Sequence, residues 1–175
     1  DPARFGDDDA ILCARRGDKV LGFTKLPKLD GPAMAGITRR TMLDIAQNEG
    51  LEGDPIRVCV DVIGVGASVY DALKFYEAEN SFHVVPVNFA EASRKSDEYV
   101  NLRDELYFTA RDWLRLGGAL PNDNGLSREL MAPEYHFTSS GASKIEPKDQ
   151  IKKRLGNSPD KADSFVLSLY RYNEA

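Results

Sequence analysis

The order of apolar and polar positions predicts a chain of alternating strands and helices. Ala10-Ile11-Leu12-Cys13-Ala14-Arg15-Arg16 reads as a strand, Gly17-Asp18 as a turn, and Lys19 to Leu26 as the hairpin partner. Pro27 to Pro32 is expected to be a loop. Residues 33–48 carry Met42, Ile45 and Ala46 at helical spacing, with Gly50 as a stop. Ile56 to Asp61 is nearly continuous in apolar residues, the pattern of a central parallel strand covered on both faces. Gly64 and Gly66 then give a tight turn into a helix whose buried stripe is Val69, Ala72, Leu73 and Tyr76. Phe82 to Val87 is the next strand, which completes a parallel βαβ unit.

A long helix is expected at about 97–116, with Tyr99, Leu102, Leu106, Ala110 and Trp113 on one side and Gly117-Gly118 at its end. Residues 119–143 read as mostly irregular, with a short helix near Ser127–Met131 and a short strand near Tyr135–Thr138. Lys144-Ile145-Glu146 reads as another short strand, and residues 147–155 as a basic helical turn ending at Gly156. Ser158 is expected to cap a final helix that starts at Pro159 and buries Val166, Leu169 and Tyr170. An antiparallel hairpin followed by parallel strands, all flanked by helices, makes a mixed-sheet α/β domain.

Length and composition narrow the class. The 175 residues fit one domain with its own core, and 42% hydrophobic with 29% charged residues is ordinary for a globular chain. No apolar run approaches the ~20 residues a bilayer span needs, and no secretory signal is visible, so no membrane partner is expected. The formal net charge is -5, so any nucleic-acid contact must use a local basic patch. Cys13 and Cys59 both lie in strand-like runs and read as buried free thiols of a reducing compartment rather than a disulfide. No Cys/His spacing suggests zinc.

Three separated acidic stations carry the candidate chemistry. Asp1 opens Asp-Pro-Ala-Arg-Phe-Gly-Asp-Asp-Asp, Asp61 ends an apolar strand, and Asp163 lies in the first part of the last helix, three residues after Asp160 and on its face. Carboxylates from strand ends and a helix start that converge on one point bind hard divalent cations, which drive phosphodiester hydrolysis. Each acid also has a plainer role. Asp1 serves as well as a frayed terminus, Asp61 as a turn cap, and Asp160 as a charge that suits the helix dipole. Asp7, Asp8 and Asp9 read as a solvated loop with room for one auxiliary ligand.

Four segments, in order along nearly the whole chain, resemble the nuclease domain of the large terminase subunit of tailed bacteriophages. They are Asp1-Pro2-Ala3-Arg4-Phe5-Gly6-Asp7-Asp8, Val60-Asp61-Val62-Ile63-Gly64-Val65-Gly66-Ala67, Asn101-Leu102-Arg103-Asp104-Glu105-Leu106-Tyr107, and the run from Lys148 to Ser164. The resemblance implies an RNase H-like fold. It also implies a two-metal, Mg²⁺- or Mn²⁺-dependent endonuclease that cuts double-stranded concatemeric viral DNA during packaging. Its metal ligands would be Asp1, Asp61 and Asp163, with Asp160 as a further candidate. The small terminase subunit and the portal would be partners, and the infected bacterial host's cytoplasm the setting. The family's first acid ends a strand that this sequence does not contain. No Gly-x-x-x-x-Gly-Lys-Ser/Thr occurs, so residues 1–175 are expected to be a nuclease domain separate from the family's ATPase motor.

Lys148, Lys152, Lys153 and Arg154 form the densest basic cluster, either a DNA phosphate contact beside the acids or a solvated helical face. Lys144 and Glu146 are close to it in sequence. Arg15, Arg16, Lys19, Arg39 and Arg40 read as solvated charges, and His83 and His136 as isolated histidines. No basic–aromatic interleaving suggests base stacking. Two other functions fit the same residues: another RNase H-like nuclease such as a junction resolvase, and a non-catalytic docking module of a packaging machine.

Overall fold

A computed structural model describes residues 9–51, 55–77 and 82–170 of the chain. Strands β1 (Ala10–Arg16) and β2 (Lys19–Leu26) pair antiparallel around the turn at Gly17, with a bulge between Ala14 and Arg15. Strands β3 (Ile56–Asp61) and β4 (Phe82–Val87) pair parallel, in a register that sets Asp61 beside Val87. A short antiparallel ribbon joins β5 (Tyr135–Phe137) to β6 (Ser143–Ile145). The strands thus show the expected mixture of antiparallel and parallel pairing. Among the described residues they bond two by two rather than as one continuous sheet.

Helices cover both faces. Helix α1 (Gly31–Asn48) and helix α2 (Gly66–Glu77) pack on each other and on the strands of one side. Their layer encloses Met34, Met42, Val58, Val60, Val69, Leu73 and Val84. Helix α3 (Leu102–Arg115) and helix α6 (Asp160–Ser168) close the other side around Val85, Val87, Leu106, Phe165 and Val166. Val84 and Val85 are adjacent on β4 yet belong to opposite cores, as a period of two requires of a strand buried on both faces. Helix α4 (Asn124–Met131) and helix α5 (Lys148–Leu155) complete the order, and α4 packs on α6. Among the described residues, no helix is long and apolar enough to cross a membrane.

Local chemistry sets the helix boundaries, and several depart from the periodicity. Helix α1 starts at Gly31, ahead of the expected loop end, because the Asp30 side chain accepts the Ala33 N–H at 3.0 Å and Pro32 suits the first turn. Gly31 is required there by crowding, since a Cβ would collide with Ser68 of α2. Helix α3 starts at Leu102 rather than near 97. Asn101 and Asp104 form a reciprocal capping box: the Asp104 N–H donates to Asn101 Oδ1 at 2.9 Å and the Asn101 N–H to Asp104 Oδ2 at 3.1 Å. Tyr99, at helical spacing from Leu102, instead bridges to Ser143. Helix α4 starts at Asn124, three residues before the expected Ser127, under the Asp123 cap.

Ser158 does not cap the last helix. Pro159 holds the cap position without a side-chain bond, and the helix opens at Asp160. The Ser158 hydroxyl is buried and, among the described residues, has no hydrogen-bond partner. The cap is supplied from α4, where Glu129 Oε2 accepts the Ala162 N–H at 3.0 Å. Leu169 and Tyr170 are buried but lie past the helix end. The substitution Asn101→Ala should cost about 1 kcal/mol of stability. In urea unfolding this lowers the midpoint and leaves the slope unchanged; an unmoved midpoint would mean that the capping box does not anchor α3.

Candidate functional site

Asp61 and Asp163, 102 residues apart in the chain, line one cleft. Its walls also include Arg103 of α3, Lys144 and Ile145 of β6, and Lys148 of α5, with a volume of about 340 Å³. Each acid reaches the cleft from a rigid element. Asp61 is the last residue of β3, and its Oδ1 accepts the Ile63 N–H at 3.1 Å. The tight turn that follows uses Gly64 at φ 62°, a left-handed conformation that suits glycine. Asp163 stands in the first turn of α6, where the helix dipole favours a carboxylate.

The helix start is crowded with charge. Asp163 is 2% exposed and Asp160 6%, so their ionised forms must be compensated from within the protein. Lys148 does this. Its Nζ lies 3.0 Å from Asp163 Oδ2 and 3.2 Å from Asp160 Oδ1. An ammonium at the start of α5 opposes that helix's own dipole, so the two acids must outweigh it. Burial pushes the Lys148 pKa down, but the charges of Asp163 and Asp160 more than reverse this and hold it above its ordinary value. The second Asp160 oxygen accepts the Asp9 N–H at 2.6 Å, and Asp9 is paired with Lys25.

Behind Asp163 the core supplies further donors. The buried Tyr107 hydroxyl donates to Asp163 Oδ1 at 2.8 Å, and Arg103 Nε lies 3.8 Å from the same oxygen. Burial, with the Asp163 charge beside it, raises the Tyr107 pKa well above its usual value, so its proton stays in place as a donor. Arg103 sits over the Tyr107 ring at 4.9 Å and donates from Nη1 to the Glu146 carbonyl at 3.1 Å. Glu129 is also buried, and burial raises its pKa against the pull of its bonds to the backbone of α6. Cys13 and Cys59 carry free thiols that burial pushes up to about 11, outside the range of a reactive thiolate.

The structure gathers Asp61, Asp160, Asp163 and Lys148 around this cleft or its edge. Asp1, Asp7 and Asp8 lie outside the described residues. Arg154 turns to Glu146 and the Ala132 carbonyl, and Lys153 is exposed further along α5. Lys152, in the same helix, is half-buried. Lys144 and Glu146 line the cleft. Arg103 and Tyr107 lay within a segment singled out by resemblance, but their contact with Asp163 spans distances in sequence that no local pattern encodes. Among the described residues, no group of three or more His, Cys, Asp or Glu side chains is close enough to hold a metal ion by itself.

A mixed set of antiparallel and parallel strands between helices, with acids at a strand end and at a late helix start, defines an RNase H-like α/β fold. More narrowly, the chain folds as the nuclease domains of large terminase subunits do. It is similar to the nuclease domain of the large terminase subunit gp2 of bacterial virus Sf6, with a TM-score of 0.79 and 17% identity over 98% of this chain and 86% of that one. A mutant of that domain with manganese and beta-thujaplicinol gives the same TM-score, 0.79. The large terminase nuclease from thermophilic phage G20c with bound magnesium matches at a TM-score of 0.62 and 17% identity, over 99% of this chain and 79% of that one. No family model matches the sequence, and no curated protein matches it significantly.

Burial, and to a lesser degree the charge of Asp163, raises the Asp61 pKa, while its bond from the Ile63 N–H lowers it. The folded state therefore binds this proton more tightly than the unfolded chain, and ionised Asp61 costs stability above the raised pKa. That cost is relieved as pH falls through it. With a chelator present, Asp61→Asn should melt higher than the parent at neutral pH, and its advantage should shrink on acidification towards about pH 4. Thermal melts at the two pH values check this, and an advantage that does not change with pH would rule it out.

Proposed function

We propose that this chain is a metal-dependent endonuclease domain that cuts double-stranded DNA as part of a large terminase. The observation that carries the reading is the pairing of Asp61 with Asp163 in one cleft, inside the fold of large terminase nuclease domains. The donor chemistry supports a hard divalent cation. The oxygens are carboxylate, and Mg²⁺ or Mn²⁺ keeps several waters and needs only one or two protein carboxylates. The Lys148 ammonium already sits between Asp160 and Asp163, which marks this point as one that stabilises positive charge. Asp61 and Asp163 would hold the cations, with Asp160 beside them and Asp1 as the third acid that the resemblance implies. A bound pair of such ions would activate the attacking water and stabilise charge on the leaving oxygen.

The chain's own groups supply the rest. Asp61 is fixed by its bond from the Ile63 N–H, so its free oxygen keeps one direction. Lys144 stands on the cleft wall beside the acids, where its ammonium would pair with a DNA phosphate. Lys152 and Lys153 extend positive charge along α5, while Arg154 buttresses Glu146 and so steadies the end of β6. Residues 1–175 would then be a single nuclease domain. The ATPase motor, the small terminase subunit and the portal would act with it on concatemeric viral DNA in the infected bacterium.

Asp61→Ala and Asp163→Ala should each reduce plasmid cleavage in Mg²⁺ or Mn²⁺ to the metal-free level, with the circular dichroism of the parent retained. A variant that cuts at the parental rate would remove that acid from the site. Lys152→Ala and Lys153→Ala should each weaken duplex binding and flatten the logarithmic salt slope by about 0.9 per lost phosphate contact. Slopes equal to the parent's would set those lysines away from the duplex.

A further inference from the structure

We infer that Tyr107 and Arg103 are positioning residues for Asp163: they claim its Oδ1 from within the core, so that Oδ2 alone is presented to the cleft. This rests on the reading of the cleft as a metal site. The two carboxylate oxygens have different surroundings. Oδ1 receives the Tyr107 hydroxyl at 2.8 Å in a buried bond, and Arg103 Nε stands 3.8 Å away. Oδ2 faces Lys148, at 3.0 Å, on the cleft side. A carboxylate pinned by one oxygen from behind turns the other towards the cleft, and its rotamer is set before any cation arrives.

Tyr107 and Arg103 act as one unit. They are four residues apart on α3, so they share a face of the helix. The guanidinium lies over the Tyr107 ring at 4.9 Å and is anchored through Nη1 to the Glu146 carbonyl at 3.1 Å. Among the described residues, its Nη2 is buried without a hydrogen-bond partner. Helix α3 packs on α6, so the pair reaches Asp163 from a neighbouring rigid element rather than from a loop. Partners that orient a ligand in this way typically change metal affinity or activity roughly 10–100-fold when lost.

The test is Tyr107→Phe, which removes the hydroxyl and keeps the ring under Arg103. Mn²⁺ binding is followed by the electron paramagnetic resonance of free Mn²⁺, and cleavage by kcat and KM for linear duplex. The expected result is Mn²⁺ affinity weaker by about ten-fold or more, a comparable fall in kcat, and an unchanged KM. Arg103→Lys, which keeps the charge but loses the planar fork, should shift Mn²⁺ affinity in the same direction. It reads the same contact should Tyr107→Phe fail to fold. A folded Tyr107→Phe with parental Mn²⁺ affinity and kcat overturns the inference, and so does a loss that appears equally in KM. A parent that takes up no Mn²⁺ overturns the metal reading beneath it, which is a distinct result.

Discussion

Two carboxylates buried in the first turn of one helix would repel each other and resist leaving water, and the rest of the cleft is arranged around that problem. Breaking a buried ion pair by removing one partner typically costs about 3–5 kcal/mol, so Asp160 and Asp163 hold their places only while something positive stands against them. Lys148 meets this need across both acids, even though it starts its own helix against the dipole. Tyr107, Arg103 and the Asp9 N–H share the remaining oxygens. The backbone of α6 is held from α4 through Glu129. Lys148, Tyr107, Arg103 and the Asp9 N–H together hold two negative charges where an apolar core would not accept them.

Such a site is strained in charge but not in backbone. Asp61 reaches it from the end of a parallel strand, and Asp163 from a helix packed on both β1 and β3. Core packing around Phe165 and Val166 therefore sets where the acids stand, while the acids contribute little to that packing. This division lets side chains at the cleft surface vary without disturbing the layers.

Much of this architecture was legible in the residue pattern. The apolar runs at Ala10–Arg16, Ile56–Asp61 and Phe82–Val87 coincide with strands, because burial on one or both faces leaves a direct mark on composition. The start of α3 was misread because Tyr99 falls at helical spacing from Leu102, although Asn101 and Asp104 spell a capping box that marks the true boundary. Ser158 had the right chemistry for a cap, but the cap came from Glu129, 33 residues earlier than Ala162. The acids were recognisable by their positions at element ends. Their partners were not: Tyr107 meets Asp163 across 56 residues, and Lys148 meets Asp160 across 12. Lys148 therefore looked like one more member of a basic cluster, when the fold turns it inward.

One buried carboxylate has a double attachment. Asp104, only 1% exposed, closes the first turn of α3 through one oxygen and accepts the Ile145 N–H of β6 at 2.9 Å through the other. The lip of the cleft that carries Lys144 is thereby bolted to the same helix that carries Arg103 and Tyr107. Displacing that lip therefore means either breaking this buried, charge-assisted bond or carrying α3 with it, which ties the width of the opening to the seat of α3 on α6.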